Sequence, residues 1–255
     1  MHHDVADLRD FYAGPLGLVV RRLLAQRIRA RWPEARGQTM MGLGFCTPYL
    51  GSYRSEAARI GALMPAAQGA LVWPSLNGVI AHADEASSRP PNTRDGILSV
   101  LVDEAHLPLP DNSVDRLLAI HLIEVADRVG PVLRELWRVL APEGRLLMVV
   151  PNRRSMWARG DTTPFGQGRP YSRRQLDRLL TDALFEAIDW SHALYLPPVQ
   201  TRFVLKSALG LERLGTRLTP SFGGVIIVEA RKTVAGALPV TGRTARVGGF
   251  VTVQR

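Results

Sequence analysis

Short apolar runs alternate along this chain with segments whose apolar residues recur at helical spacing. Apolar runs bounded by Gly, Pro or polar residues predict β-strands, and an unbroken run is typical of a strand covered on both faces. The predicted strands are residues 39–43, 60–64, 97–102, 116–120, 146–150, 188–196 and 224–230. Residues 70–73 and 79–81 are candidates for further short strands, and residues 85–95, rich in Ser, Pro, Arg and Asn, predict a loop.

Three segments between these runs have one apolar face. Residues 4–31 predict one or two helices, with arginines mainly opposite the apolar residues. Residues 128–141 carry apolar side chains at positions i, i+3, i+4 and i+7, and a Pro and a Gly end this pattern. Ser172 and Gln175 have the spacing of a capping box at the start of a third helix. Strands that alternate with helices predict an α/β fold, in which a mainly parallel sheet has helices on both faces.

The composition is that of a globular protein. The chain has 255 residues, of which 46% are hydrophobic and 22% are charged, and this length suits one large domain. We expect a single domain over residues 1–232, with a helical N-terminal region at residues 1–36, and a flexible basic tail over residues 233–255. No run of 18 apolar residues occurs, so no transmembrane helix is expected.

The first ten residues and the cysteine count bear on the compartment. Residues 1–10 are polar and contain acids, unlike a secretory signal. The single cysteine, Cys46, excludes an intramolecular disulfide and a multi-cysteine metal site. We therefore expect a cytoplasmic protein that holds no metal.

The net charge of +9 is unevenly distributed. Residues 231–255 contain no acid, and their basic residues are Arg231, Lys232, Arg243, Arg246 and Arg255. The much longer remainder of the chain therefore carries less than half of the excess positive charge. A nucleic-acid-binding domain would concentrate its charge on a structured face, so a nucleic-acid partner is not expected. The tail is interpreted as solvated, with contact to phosphate or to an anionic membrane as the alternative.

Gly42 and Gly44 lie at the end of the first predicted strand. Glycines at a strand-to-helix turn let the backbone approach a ligand, which would lie outside the carboxyl end of the strand. This spacing alone is compatible both with a nucleotide-type site and with an ordinary tight turn.

A longer and more specific pattern follows. The chain reads VDEAHLPLPDNSVD over residues 102–115, HLIEV over residues 121–125 and LRELWRVLAPEGRL over residues 133–146. Over residues 38–150 it resembles the class I S-adenosylmethionine-dependent methyltransferases, and most closely the type 11 family. That family has an Asp-Ala-Glu-x-Leu-Pro-Phe loop, a Ser-Phe-Asp strand start and an Arg-Val-Leu-x-Pro-Gly-Gly turn. The resemblance implies a Rossmann-like, mainly parallel seven-stranded sheet and S-adenosylmethionine as cofactor.

The resemblance also implies roles for individual residues. The turn at Gly42 and Gly44 would hold the methionine part of the cofactor through the backbone. Asp103 would accept a hydrogen bond from the adenine amino group, and the backbone of Glu104 would pair with the adenine ring. His121, at the end of the next strand, would lie beside the methionine part.

Three positions depart from the family's pattern. Met40 stands where the family usually has an acid, Cys46 replaces the third motif glycine, and Met64 stands where an acid normally binds the ribose hydroxyls. Loss of the ribose contact removes a charge-assisted hydrogen bond of about 1.5–3 kcal/mol. Two functions therefore stay open. One is methyl transfer to a small-molecule acceptor, and the other is a catalytically inactive methyltransferase fold that binds a ligand or a partner.

In this fold the acceptor is expected over the carboxyl end of the sheet, near residues 152–171. The candidate substrate contacts are Tyr12, Arg153, Trp157, Phe165 and Tyr171. Transfer to a nucleophile that is already anionic needs positioning rather than acid–base help, so no catalytic residue is assigned. His121 and Tyr171 are the candidates if the reaction needs a base.

Overall fold

A computed structural model describes residues 4–69, 71, 73, 98–160 and 162–233 of the chain. The candidate strand at residues 79–81, the predicted loop at residues 85–95 and the tail from residue 234 onward lie outside these residues, as does part of the candidate strand at residues 70–73.

Helices and strands alternate through the described residues. The α-helices are α1 (Val5–Ala13), α2 (Pro15–Arg31), α3 (Thr47–Leu50), α4 (Val129–Val139), α5 (Arg173–Asp182), α6 (Arg202–Lys206) and α7 (Ala208–Leu218). The strands are β1 (Thr39–Gly44), β2 (Arg59–Pro65), β3 (Ser99–Val102), β4 (Val114–Ile120), β5 (Leu140–Pro151), β6 (Phe185–Ala193) and β7 (Val225–Lys232).

These strands form one sheet in the order β3-β2-β1-β4-β5-β7-β6. Within this order, the five strands β3, β2, β1, β4 and β5 are each parallel to their neighbours in that group. Strand β7 runs antiparallel to both β5 and β6. The strand order reverses between β1 and β4, and such a switch point places a crevice at the carboxyl ends of these two strands. The predicted α/β fold with a mainly parallel seven-stranded sheet is confirmed.

Helices cover both faces of the sheet, as the apolar patterns predict. On α2, Leu16, Val20 and Leu24 belong to the apolar cluster on one face. On α4, Leu133 and Leu136 belong to the cluster on the other face. Full burial of each such side chain contributes roughly 1.5–3 kcal/mol, so the two amphipathic helices fix the layers of the fold.

The strand β6 is shifted from its predicted position, residues 188–196. Leu184 and Leu194 have φ values of 62° and 65°, in the left-handed region, so the extended backbone begins after the first and ends before the second. The helix α7 was not predicted, because Gly210 and Gly215 weaken its helical pattern. The capping box of Ser172 and Gln175 is present at the start of α5.

Among the described residues, no helix combines the length and the apolar character that a membrane crossing requires.

Candidate functional site

The carboxyl ends of β1 and β4 meet at the glycine turn. Gly44 has a φ of 87°, and a Cβ atom there would lie 2.2 Å from the carbonyl oxygen of Ile120. The next amide, that of Phe45, donates a hydrogen bond of 2.8 Å to the same oxygen. At Gly42 a Cβ atom would lie 2.5 Å from Cβ of Cys46. Both glycines are therefore needed for close packing of the turn against the protein itself.

Tyr12 of α1 lies over this turn. Its hydroxyl is 3.0 Å from Nε2 of His121, and its ring stacks on that of Phe45 with 5.1 Å between centroids. The side chain is buried, and burial raises the pKa of the phenol well above its ordinary value, with Tyr49 adding to the effect. Tyr12 is thus a neutral hydroxyl that fills the space between the ends of β1 and β4.

His121 is the first residue after β4. It has a φ of 54°, which is uncommon for a residue with a side chain. Its Nδ1 is 3.2 Å from Oε1 of Glu124, and its carbonyl accepts a hydrogen bond of 2.8 Å from Nε2 of Gln68. The other carboxylate oxygen of Glu124, Oε2, is buried without a hydrogen-bond partner among the described residues. Tyr12, His121 and Glu124 form a buried line of three polar side chains.

Aromatic side chains cover this line. The ring of Phe165 lies 4.7 Å from the His121 ring, and Phe11 and Trp157 both pack edge-on against Phe165. Trp157 also donates a hydrogen bond from Nε1 to the carbonyl of Leu196. We call Phe11, Tyr12, Phe45, Trp157 and Phe165 the aromatic cluster. It brings three of the candidate substrate residues, Tyr12, Trp157 and Phe165, together around His121.

The other two candidate substrate residues lie elsewhere. Arg153 is exposed, and its Nε donates to the carbonyl of Pro170. Tyr171 is buried, donates its hydroxyl proton to the carbonyl of Ile123, and packs on the opposite face of the sheet. Burial raises the pKa of Tyr171 to about 12, so this hydroxyl stays protonated at neutral pH and is poorly suited to act as a base.

The residues assigned to the adenosine end of the cofactor differ in exposure: Asp103 is exposed, whereas Met64 is buried. The Asp103 side chain is 62% exposed, and it accepts hydrogen bonds from the Ala105 amide and from Nδ1 of His106. The bond from His106, with that from Ala105, holds the pKa of this carboxyl below its usual range. Glu104, beside it, is half-buried. These side chains leave the end of β3 open to a ligand.

Met64, at the end of β2, is by contrast only 2% exposed, and its Sδ accepts a hydrogen bond of 3.1 Å from the Leu71 amide. Met40 is also fully buried in the core. Neither position offers a carboxylate, and both lie in an apolar cluster where an unpaired charge would be costly.

Sequence reasoning missed Glu124 and Gln68 as site residues. Glu124 stands three residues after His121, directly past a strand end, and this spacing is the signal that marks it. Nothing in the sequence marks Gln68, because its hydrogen bond to His121 spans 53 positions.

Comparisons with known proteins agree with this fold. A family model described as a methyltransferase domain matches residues 76–148. A possible histamine N-methyltransferase of Thermotoga maritima is 16% identical, with 90% of this chain and 96% of that chain covered and a TM-score of 0.54. Geranyl diphosphate C-methyltransferase of Streptomyces coelicolor A3(2) is also 16% identical, with 82% and 78% covered and a TM-score of 0.54.

The fold is that of the class I S-adenosylmethionine-dependent methyltransferases. The predicted resemblance is therefore confirmed, and the family match covers residues 76–148 of the stretch 38–150. A third methyltransferase of this fold, from Mesorhizobium loti, is 17% identical, with 81% of this chain and 96% of that chain covered and a TM-score of 0.51. A search of curated proteins gave no match.

The methyltransferase fold implies S-adenosylmethionine as cofactor. The place implied for its adenosine end and the place implied for its methionine end differ in how exposed their side chains are. Asp103 is an exposed acceptor at the place implied for adenine. The place implied for the methionine part is taken by Tyr12, which bridges Phe45 and His121. Tyr12 of α1 thus lies at the turn to which the resemblance assigns the methionine part, whereas Asp103 is exposed where the resemblance assigns adenine.

Proposed function

We propose that this protein transfers a methyl group from S-adenosylmethionine to a small-molecule acceptor. The observation that carries the proposal is the switch point itself. There the glycine turn of β1 lies against the end of β4, and Asp103 is exposed at the end of β3. The match of residues 76–148 to a methyltransferase domain supports the same reaction.

His121 is the residue best placed to hold a proton. When bound, S-adenosylmethionine supplies a methyl group on a positively charged sulfur. A protonated nucleophile must lose its proton as it attacks such a group. The Glu124 carboxylate at Nδ1 favours the tautomer in which Nδ1 carries the hydrogen and Nε2 accepts. Nε2 now accepts from Tyr12, and once Tyr12 has moved away it would accept instead from a hydroxyl or amine of an acceptor bound beside the methionine part.

This use of the site requires α1 to move. The helix has nine residues and ends at Gly14, so one short element carries the obstructing ring. It is held by the Tyr12–His121 hydrogen bond, by a bond of 2.7 Å from the Val5 amide to the Gln68 carbonyl, and by close packing on α2. At Gly17 of α2, a Cβ atom would lie 1.9 Å from the carbonyl oxygen of Phe11.

The surroundings of His121 favour a small acceptor. Phe45, Trp157 and Phe165 are buried, so the space around the imidazole is enclosed and mostly apolar. Such a space excludes water and suits a compact organic molecule rather than a polymer. The structure of the Streptomyces enzyme contains geranyl diphosphate and S-adenosyl-L-homocysteine, which supports a small molecule as acceptor here.

A second candidate function is a methyltransferase fold that binds a ligand or a partner without catalysis. Two observations favour it. The Tyr12 ring lies at the turn that the resemblance assigns to the methionine part, and the buried thioether of Met64 stands at the position that the resemblance assigns to a ribose-binding acid. In that case the position of α1 would be permanent.

Calorimetric titration with S-adenosylmethionine and S-adenosylhomocysteine separates the two functions. Gly17→Ala should displace α1, because the added Cβ atom would collide with the backbone of Phe11 and Tyr12, and Tyr12→Phe should remove the bond to His121. We expect the wild type to bind weakly and both variants to bind more tightly, because less of the protein holds the closed arrangement. Single-turnover assays of the tighter variant with pooled small hydroxyl and amine compounds would then seek the acceptor.

Matched controls are available for both changes. Gly210→Ala alters a helical glycine with open space around it, and Tyr53→Phe removes a buried hydroxyl that donates to the Trp32 carbonyl. Neither should change cofactor affinity. Absence of binding at millimolar cofactor in wild type and in folded Gly17→Ala and Tyr12→Phe proteins would reject methyl transfer and favour the binding function.

A further inference from the structure

Residues 199–222, which join β6 to β7, carry large apolar side chains that face outward. Phe203 of α6 is 81% exposed, and Leu214 and Leu218 of α7 are 55% and 70% exposed. Val199 and Phe222, at the two ends of the segment, are exposed as well. So many large exposed apolar side chains within one short segment are unusual in a soluble domain, and we take them to mark an interaction surface.

The helix α7 is divided into rows by the spacing of its residues. Leu214 and Leu218 are four residues apart and form an exposed apolar row. Arg213 and Arg217, also four apart and exposed, form a cationic row beside it. Ala208 and Glu212 form the buried row. Leu214 and Leu218 belong to neither apolar cluster of the described residues, and with the exposed Arg213 and Arg217 they lie outside the buried core.

The charge of this segment is of one sign. Its basic residues, Arg202, Lys206, Arg213 and Arg217, are all exposed. Its one acid, Glu212, is 6% exposed and is engaged by the Leu194 and Tyr195 amides. We define the exposed apolar and basic side chains of residues 199–222 as the α6–α7 face.

We propose that the α6–α7 face docks the protein on an anionic lipid membrane. Helices that lie in a membrane interface combine bulky apolar side chains with Lys and Arg, as this face does. The apolar side chains would enter the headgroup region, and the four cations would lie against lipid phosphates and carboxylates. An acidic protein partner would match the charge, but it would not require phenylalanine and leucine side chains to be exposed from one end of the segment to the other.

Vesicle flotation tests the proposal with the full chain. We expect binding to vesicles in which phosphatidylcholine is mixed with a minor share of phosphatidylserine, little binding to pure phosphatidylcholine, and weaker binding as salt rises. Each basic residue near such a surface contributes about fivefold in affinity, equal to about 1 kcal/mol. Arg213→Glu with Arg217→Glu should therefore weaken binding at least about 25-fold.

The helix α5 supplies the matched control. Arg174 and Arg178 are exposed and have the same four-residue spacing, so Arg174→Glu with Arg178→Glu makes the same change in net charge. All variants keep the same basic tail, residues 233–255, so its contribution to vesicle affinity is the same in every comparison. Leu214→Ser with Leu218→Ser should also weaken binding, in a way that salt does not change, whereas Met156→Ser, at an exposed methionine elsewhere, should not.

Three results would overturn the proposal. The first is equal binding of wild type to both vesicle types, and the second is an Arg174→Glu, Arg178→Glu variant that loses as much binding as the Arg213→Glu, Arg217→Glu variant. The third is no vesicle binding at all; if the protein is then a dimer in sedimentation that Leu214→Ser with Leu218→Ser dissociates, the face is an interface between two copies. Circular dichroism and melting temperature confirm that each variant is folded.

Discussion

The phenol oxygen of Tyr12 lies 3.0 Å from Nε2 of His121, a residue 109 positions later in the chain. On the other side of the same imidazole, Glu124 lies 3.2 Å from Nδ1. Buried polar groups are costly unless they are paired. The docking of α1 and the orientation of His121 therefore depend on each other, and a substitution that alters one should also alter the other.

Gly44→Ala should destabilise the fold by more than about 2 kcal/mol, because a side chain is added in the left-handed region and collides with the Ile120 carbonyl. Gly51→Ala is the control, since Gly51 has helical dihedrals and nothing within 4 Å of the added atom. Urea unfolding of both variants measures the difference. Equal stability would mean that the turn is not pressed against β4.

Asp103→Ala should weaken S-adenosylhomocysteine binding by about 1–3 kcal/mol, since the adenine amino group would lose its acceptor. The fold should not change, because the Asp103 side chain is mostly exposed. Titration calorimetry of the variant in a Gly17→Ala background gives the clearest signal. Asp182→Ala removes an equally charged, exposed carboxylate at the end of α5 and should bind like its parent. An unchanged dissociation constant for Asp103→Ala would make Asp103 a surface acid.

Met64→Asp should lower the melting temperature strongly. Met64 is buried in an apolar cluster, so a carboxylate there would lose its hydration at a site built for an apolar side chain. We expect a loss of about 3 kcal/mol or more. Met156→Asp, at an exposed methionine, should leave the melting temperature nearly unchanged. A stable Met64→Asp protein with tighter cofactor binding would instead place position 64 against the ribose.

Glu135→Gln should destabilise the protein at neutral pH and not in acid. Glu135 pairs with Arg138 at 2.6 Å and accepts the Leu107 amide at 2.7 Å, and the arginine bonds hold its pKa below the ordinary value of 4.5. A carboxylate with a lowered pKa stabilises the fold above its unfolded-state pKa and loses this effect as pH falls through the folded value. We expect a loss of about 1.5–3 kcal/mol at pH 7 that shrinks below about pH 4.

Urea titrations at several pH values measure this effect. Glu143→Gln removes a carboxylate that is 69% exposed and paired with Arg231, so its cost should be about 0.5 kcal/mol or less at every pH. A pH-independent loss for Glu135→Gln would show that packing, and not charge, is what the glutamate contributes.

The elements of the fold could largely be predicted from local patterns. The apolar spacing over residues 128–141 yields α4, and the Ser172–Gln175 pair marks the start of α5. Because parallel strands end at one edge, the meeting of the Gly44 turn and His121 was also predictable. The arrangement of Tyr12 was not, because it depends on the angle at which α1 docks across the sheet. The packing of Met64 was equally hidden, because a shift of one residue reverses the face to which a strand residue points.

The position of α1 has a consequence for kinetics. If the methionine end of the cofactor can enter only after Tyr12 has left His121, association has two steps, and the first occurs without ligand. At low cofactor concentration the observed rate would rise in proportion to concentration. At high concentration the observed rate would level off at the rate at which α1, a helix of nine residues, undocks. Undocking of this helix, and not diffusion of the cofactor, would then limit the rate of association.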